Sequence, residues 1–222
     1  WDDNFSKDNF TVKPQNDGAF ICQNSWGDNF GENGFFYISY YDTNIGTHNV
    51  VYTDIENTDN YDHIYQSDLC GWVGQLGYNK DSIYGANVFT AEGNETLKAA
   101  SFYATGKDSQ YELYVVRQFE DETSLEKMIP VASGKLGNAG YYTVDFNQGI
   151  EVDAGERYAV VLYIITPGSV HPMAIEYAAD EATENVDLDD GESYISANGS
   201  KWVSVDTVEK SNLCIKAFSD NR

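Results

Sequence analysis

The residues best suited to chemistry lie near the start of the chain. The segment Gln23–Gly27 reads Gln-Asn-Ser-Trp-Gly, and a second glycine, Gly31, follows four residues later. The side-chain oxygen of Asn24 can accept a hydrogen bond from an imidazole N–H and so hold that ring in one rotamer and tautomer. The indole of Trp26, two residues further along, can exclude water from hydrogen bonds near it. An amide side chain is not a nucleophile, so Asn24 is not expected to attack a substrate itself.

A nucleophile and its base are not apparent in the same chain. No cysteine or serine stands at a spacing to a histidine that marks such a pair, and the cysteines form neither a CxxC pair nor a metal-binding pattern. The residues concerned are Cys22, Cys70, Cys214, His48, His63 and His171. An odd number of cysteines cannot pair completely within one chain, so a disulfide scaffold is not expected, although one bridge remains open. Cys22 is expected to be a small buried side chain on a strand.

The Asn-Ser-Trp-Gly element, Gly31 and the aromatic segment Phe35–Ile38 follow one another as in the papain family of cysteine peptidases. The first part of this chain therefore resembles the C-terminal part of a papain-like peptidase. The resemblance implies that Asn24 orients the catalytic histidine and that Trp26 shields that hydrogen bond. It also places the histidine shortly before Trp1 and the cysteine further upstream, so this chain alone would be inactive and any export signal would precede it. One departure is Phe30, where many members have tryptophan.

Net charge limits the partners. Thirteen basic and thirty-six acidic side chains give a formal charge of -23, which repels nucleic-acid phosphates, so no nucleic-acid partner is expected. The same field attracts divalent cations, and a structural calcium ion is compatible with it, whereas catalysis would require no cofactor. The acidic segment Asp187–Glu192 misses the spacing of an EF-hand loop, so we interpret it as a solvated turn, with calcium as the alternative.

Apolar patterning indicates a mainly β chain without membrane insertion. The longest apolar run, Tyr158–Thr166, is far shorter than the roughly 20 residues of a membrane-spanning helix. A polar crossing near Asn60 divides the chain into residues 1–60, with a predicted hairpin, and residues 61–222, with runs of strand length. The fold expected is a jelly-roll-like β-sandwich preceded by a β-hairpin fragment of a papain-type barrel. The predicted strands are Gly18–Cys22, Gly34–Tyr41, Ile83–Ala91, Leu97–Thr105, Tyr111–Phe119, Tyr141–Phe146, Arg157–Thr166, Met173–Ala178, Ser193–Ala197 and Leu213–Phe218, with one helix over Glu122–Met128.

The second part resembles the lectin-like domain that follows the peptidase in some Gram-positive surface cysteine proteases. The resemblance is carried by the segments Tyr65–Asp68, Gly71–Trp72, Ala86–Phe89 and Glu95–Tyr103. It implies sugar binding, but the sequence assigns no sugar site. Trp72, Tyr78 and Trp202 could stack on pyranose rings if they are exposed, although filling the core is the more common role of such residues. These alternatives stay open at the level of sequence.

Together, these features predict the C-terminal portion of a secreted or cell-wall-associated bacterial papain-like cysteine endopeptidase, acting outside the cell on protein or peptide substrates. The thiol nucleophile would be supplied upstream of this chain. The alternative is a non-catalytic carbohydrate-binding or adhesion module that recognises a cell-wall or host glycan. A parent protein that has lost its cysteine or histidine is a third hypothesis.

Overall fold

The computed structural model describes residues 1–47 and 49–222. The chain divides into two compact units, residues 1–56 and residues 57–222. In the sequence, the polar stretch from Asp42 onward leads up to this division. No helix among the described residues is long and apolar enough to cross a membrane.

The described residues form fifteen β-strands, one short α-helix and two 3-10 helices. The strands are β1 (Ala19–Gln23), β2 (Phe35–Ser39), β3 (His63–Tyr65), β4 (Gly74–Leu76), β5 (Ser82–Thr90), β6 (Glu95–Ala104), β7 (Ser109–Val116), β8 (Ile129–Leu136), β9 (Gly140–Val152), β10 (Arg157–Ile165), β11 (Met173–Glu176), β12 (Glu192–Ser196), β13 (Val203–Ser204), β14 (Asn212–Leu213) and β15 (Ile215–Asn221). Helix α1 is Val205–Val208, and the 3-10 helices are Lys7–Asn9 and Glu122–Glu126.

The first unit is built on an antiparallel hairpin of β1 and β2, as the sequence predicts. The chain start is held against this hairpin, because the backbone of Asp2 exchanges two hydrogen bonds with that of Ala19. The ring of Phe5 stacks on Tyr37 of β2, with centroids 4.2 Å apart. This packing fixes the hairpin whose far end carries the Asn-Ser-Trp-Gly element.

The second unit is a sandwich of antiparallel sheets, which confirms the expected fold class. The six-stranded sheet has the order β13-β12-β5-β10-β7-β8, and the four-stranded sheet has the order β3-β15-β6-β9. A third sheet, β14-β11-β4, adds buried side chains to the same core. Large apolar side chains from both main sheets meet there, among them Leu113, Leu162, Leu97, Phe102 and Ile215. Each such side chain contributes about 1.5–3 kcal/mol when fully buried.

Strand prediction is most accurate where the apolar pattern is strong. β10 lies between β5 and β7, as expected for a run that is apolar on both faces. The helix predicted over Glu122–Met128 forms as a 3-10 helix over Glu122–Glu126, and its N-terminus is capped by Asp121. The edge strand β8 was not predicted, since Pro130, Ser133 and Gly134 weaken its strand signal. An edge position tolerates such residues, because one side of the strand needs no partner.

A buried asparagine links the six-stranded sheet to the chain where it passes from β14 to β15. The side-chain amide nitrogen of Asn87 on β5 donates to the carbonyl oxygens of Leu213 and Ile215, at 2.9 and 2.8 Å. Its side-chain oxygen accepts from the hydroxyl of Ser193 on β12. A buried polar group that loses its hydrogen-bond partner costs about 1–3 kcal/mol, so these bonds hold Asn87 firmly in place.

A buried ion pair fastens the segment before β4 to the four-stranded sheet. Nζ of Lys216 on β15 lies 2.7 Å from Oδ1 of Asp68, whose side chain is fully buried, and 2.8 Å from Oε1 of Gln66. Burial raises the pKa of Asp68, although the hydrogen bond and charge of Lys216 oppose that rise. The lysine therefore compensates a carboxylate that has no access to water.

We expect Lys216→Met to lower the free energy of unfolding by about 3–5 kcal/mol, because it leaves the buried carboxylate without its counterion. The matched control is Lys98→Met, which removes a lysine 3.7 Å from the partly exposed Asp220. That exposed pair is worth about 0–1 kcal/mol. Urea denaturation of both variants measures the difference, and equal losses would contradict the role given to Lys216.

A second buried carboxylate, Glu95, links β6 to β3 and β15. The hydroxyl of Tyr65 donates to both of its oxygens, at 2.7 and 2.9 Å, and the hydroxyl of Ser219 donates to Oε2 at 2.5 Å. The backbone amide of Gly93 donates to Oε1. Burial alone would raise the pKa of Glu95, but these hydrogen bonds outweigh it and hold the pKa below its usual value.

The Glu95 network predicts a pH dependence of stability. The folded pKa lies below the usual value of 4.5, so the unfolded chain binds the proton first as the pH falls. The stabilisation is present above that value and is lost as the pH drops through the folded pKa. Glu95→Gln should destabilise the protein most at pH 7, and its difference from wild type should shrink under acid conditions. Thermal unfolding across this pH range measures it, and the exposed Glu126→Gln variant should show no such trend.

Candidate functional site

Asn24 follows β1 directly, and its side chain is held at both ends. Its backbone N–H donates to the carbonyl of Gly34 at 2.8 Å. The side-chain oxygen accepts from the backbone N–H of Trp26 at 2.7 Å, and the side-chain nitrogen donates to the carbonyl of Phe30 at 3.3 Å. A carbonyl oxygen has two lone pairs, so Oδ1 keeps capacity for a second donor such as an imidazole N–H.

The loop between β1 and β2 depends on two glycines with positive φ. Gly27 has a φ of 91° and open space around it, whereas Gly31 has a φ of 66° and lies close to the backbone of Phe35. A Cβ at Gly31 would stand 2.1 Å from the carbonyl oxygen of Phe35. That oxygen accepts a hydrogen bond from the backbone of Glu32, so it cannot move without opening the turn. The second glycine of the motif is thus required by a close backbone approach.

Trp26 lies beside Asn24 and is largely exposed, with 77% of its surface accessible. Its ring meets Phe30 edge to face, with centroids 5.1 Å apart. Phe20, Phe30 and Phe35 of the same hairpin are also more than 40% exposed. Phe20 pairs with Ile38 and Phe35 pairs with Gln23, so Phe20 and Phe35 lie on opposite faces of the hairpin. The unit therefore exposes aromatic side chains on both faces, with Trp26 and Phe30 together in the loop. Asn24 and Trp26 are neighbours in one loop, and their catalytic roles stay predictions.

The cysteines and histidines lie in separate surroundings. Cys22 is half-buried on β1, Cys70 is exposed, and Cys214 is buried, where burial followed by the negative charge of Asp68 raises the pKa of its thiol. His63 lies 3.0 Å from the side-chain oxygen of Asn221, and this hydrogen bond raises the pKa of the imidazole. His48 lies outside the described residues.

The aromatic residues singled out in the second unit have different environments. Trp72 packs against Tyr103 with centroids 5.7 Å apart and is 36% exposed, whereas Tyr78 packs against the main core. Trp202 meets Tyr84 edge to face on the outer side of the six-stranded sheet. Tyr84 in turn stacks on Tyr163, and neither tyrosine was singled out from the sequence. The period-two alternation of β10, which puts Tyr163 opposite the buried Leu162 and Ile164, could have identified it.

The acidic segment Asp187–Glu192 lies around the side-chain amide of Asn212. The side-chain nitrogen of Asn212 lies 2.9 Å from the carbonyl oxygen of Asp187 and 3.2 Å from Oδ1 of Asp190, and it also donates to the buried Glu176. Burial, followed by the charge of Asp187, raises the pKa of Asp190. Among the described side chains, no group of three or more His, Cys, Asp or Glu converges to hold a metal ion. Structural calcium stays a prediction.

The antiparallel sandwich, preceded by a separate hairpin unit, defines a mainly β domain. The sequence model of the lectin-like domain matches residues 64–219, and the chain belongs to this family. No curated protein matches the chain.

Two solved structures of one clostridial protein resemble the whole chain. One is a variant of the cysteine protease Cwp84 after propeptide cleavage, with a TM-score of 0.79 and 29% identity. The match covers 100% of this chain and 56% of the Cwp84 chain. The other comprises the cysteine protease and lectin-like domains of Cwp84, a surface layer associated protein of Clostridium difficile. It has a TM-score of 0.74 and 26% identity, and it covers 100% of this chain and 50% of that one. The chain therefore spans about half the length of these structures.

The two loop glycines should respond differently to the same substitution. Gly27→Ala has room for its methyl group and costs about 1–2 kcal/mol through its positive φ. Gly31→Ala must also move the Phe35 carbonyl, so the loop should open. We expect the Asn24 amide to exchange its hydrogen at least tenfold faster in Gly31→Ala than in Gly27→Ala, a difference of about 1.4 kcal/mol. Equal protection in both variants would show that the close approach does not hold the loop.

Proposed function

We propose that this chain is the C-terminal portion of a papain-like cysteine endopeptidase that acts outside the cell, at the bacterial surface. The observation that carries the proposal is the side-chain oxygen of Asn24, fixed by the Trp26 amide at 2.7 Å, with a second lone pair available. The cysteine protease and lectin-like domains of Cwp84 cover the whole of this chain, including the hairpin, which supports the same assignment.

Asn24 acts as a positioning residue in this proposal. A thiolate nucleophile needs a neighbouring imidazolium to lower its pKa, and the imidazole must hold one orientation to accept and return the proton. Asn24 Oδ1 would accept the ring N–H that faces away from the sulfur. The cysteine and the imidazole come from upstream segments, and the substrate is a protein or peptide.

In this proposal the upstream part of the peptidase packs on the exposed aromatic pair of the loop, Trp26 and Phe30. Trp26 is the most exposed aromatic residue beside Asn24, and its indole would exclude water from the Asn24–imidazole bond. A hydrogen bond is electrostatically stronger where water is excluded. The proposal thus gives a role both to the exposed indole of Trp26 and to the free lone pair of Asn24 Oδ1.

Replacing Asn24 in the full-length protein tests this role. Asn24→Ala should lower turnover of a denatured protein substrate by about 100-fold, because the imidazole loses its orientation. The pH profile of turnover should also change, since an imidazole held less firmly supports the thiolate less well. Asn24→Asp retains an oxygen acceptor and should keep more activity than the alanine variant.

The matched control is Asn16→Ala, which removes another asparagine of the same unit that hydrogen-bonds to the hydroxyl of Tyr41. It should leave both turnover and its pH profile unchanged. If Asn24→Ala is folded and retains wild-type turnover, Asn24 does not position a catalytic histidine. An inactive wild-type full-length protein whose lectin-like domain is folded would instead refute the peptidase assignment itself.

A further inference from the structure

We propose that a groove on the outer face of the six-stranded sheet binds a neutral pyranose oligosaccharide. The groove has a volume of about 390 Å³, within the usual range of small-ligand sites. It lies entirely within the second unit, so the proposal stands apart from the peptidase activity. The family match assigns no residue to such a site.

Three neighbouring strands build the groove in register. Tyr163 of β10 lies opposite Glu112 of β7, and Glu112 lies opposite Ser133 of β8. One step along the same face, Ile165 lies opposite Gln110, which pairs with Lys135. These six side chains line the groove. Because they alternate with the buried core residues of the same strands, all of them point outward.

Tyr163 supplies the flat apolar surface. Its ring stacks on Tyr84 with centroids 4.2 Å apart and an interplanar angle of 20°, so one face is covered. β7 flanks Tyr163 on the side opposite Tyr84, and Glu112 stands there. The uncovered face of Tyr163 is therefore turned to the groove, and Tyr84 holds the ring upright. A pyranose ring has an apolar C–H face that packs well on such a ring.

Glu112 supplies a fixed hydrogen-bond acceptor. The hydroxyl of Tyr114, two residues along β7, donates to one of its oxygens. Burial and this bond to Glu112 raise the pKa of Tyr114, which keeps the phenol protonated as a donor. The remaining carboxylate lone pairs can accept from sugar hydroxyls, and bonds to a charged acceptor are the stronger kind. Gln110 and Ser133 add further donors and acceptors across the groove.

The rest of this sheet face is already covered. The segment after β7 places Phe119 and Leu125 in a second apolar cluster with Val116, Ala159 and Val161. Tyr163 of β10 and Glu112 of β7, which lies opposite it, are outside this cluster. On β8, Ser133 carries only a small side chain on this face, which leaves open volume above it. The groove thus results from a local lack of covering residues above an aromatic ring and a carboxylate.

This chemistry selects the ligand. An aromatic face surrounded by carboxylate, amide and hydroxyl groups matches a molecule with apolar ring faces and many hydroxyls. An anionic glycan is disfavoured, since Glu112 lines the groove, Lys135 lies 3.2 Å from Asp108, and the net charge is -23. A purely apolar ligand would cover Gln110 and the remaining lone pairs of Glu112 without offering them hydrogen bonds. A neutral oligosaccharide has apolar ring faces, many hydroxyl groups and no negative charge, so it fits the groove.

The test is calorimetric titration of the intact chain with cellotetraose, maltotetraose, chitotetraose and, as the anionic comparison, tetragalacturonate. We expect at least one neutral tetraose to bind and the anionic one not to bind. Tyr163→Ala and Glu112→Gln should each weaken binding at least tenfold, or about 1.4 kcal/mol. The control Tyr141→Ala, which removes a tyrosine paired with Tyr103 on the four-stranded sheet, should bind as wild type.

Chemical-shift mapping on the wild-type protein keeps the test decisive if Tyr163→Ala fails to fold. Shifts induced by the sugar should concentrate at Gln110, Glu112, Ser133 and Tyr163. Absence of binding by every neutral tetraose at millimolar concentration would overturn the proposal. Binding with shifts elsewhere, or binding unchanged in a folded Tyr163→Ala or Glu112→Gln variant, would also overturn it. Tight binding of tetragalacturonate alone would refute the selection for neutral sugars.

Discussion

The side-chain amide of Asn87 is the constraint on which the second unit depends. The chain leaves the three-stranded sheet at Leu213 and enters the four-stranded sheet at Ile215, and both residues are buried at this change of sheet. Asn87 donates to the carbonyl oxygens of both, and the hydroxyl of Ser193 satisfies its remaining oxygen. An apolar residue of the same size would remove all three hydrogen bonds from a buried site. One amide thus joins β5 and β12 of the six-stranded sheet to the chain where it changes sheet.

The segments that resemble the lectin-like domain contain the other buried polar anchors. Tyr65 and Glu95 form one hydrogen-bonded group, and Asp68 forms an ion pair with Lys216. Each anchor links a strand to a segment distant in sequence. Buried polar groups of this kind need partners with the right geometry, so few residue types fit at these positions. This explains why the resemblance is carried by polar and aromatic residues, and why it predicts the fold better than it predicts a binding site.

The two candidate sites differ in how they arise. The Asn24 loop is local, because its bonds join residues no more than ten positions apart and its glycines allow the turn without strain. The groove beside Tyr163 combines side chains from β7, β8 and β10, which meet through sheet pairing alone. The aromatic residues weighed from the sequence lie outside this groove: Tyr78 packs against the core, Trp72 against Tyr103, and Trp202 meets Tyr84.

By itself, the sequence determined the mainly β class, the hairpin of the first unit, the central position of β10 and the motif that contains Asn24 and Trp26. These follow from short-range rules, since alternation, apolar runs and glycine positions act over a few residues. Tertiary structure alone decided that β8 forms, that residues 122–126 make a 3-10 turn, and that Tyr163 meets Glu112. An edge strand and a cross-strand neighbour depend on pairing partners far apart in the chain. The physical reason is that strand register, which no local pattern encodes, places side chains from different strands side by side.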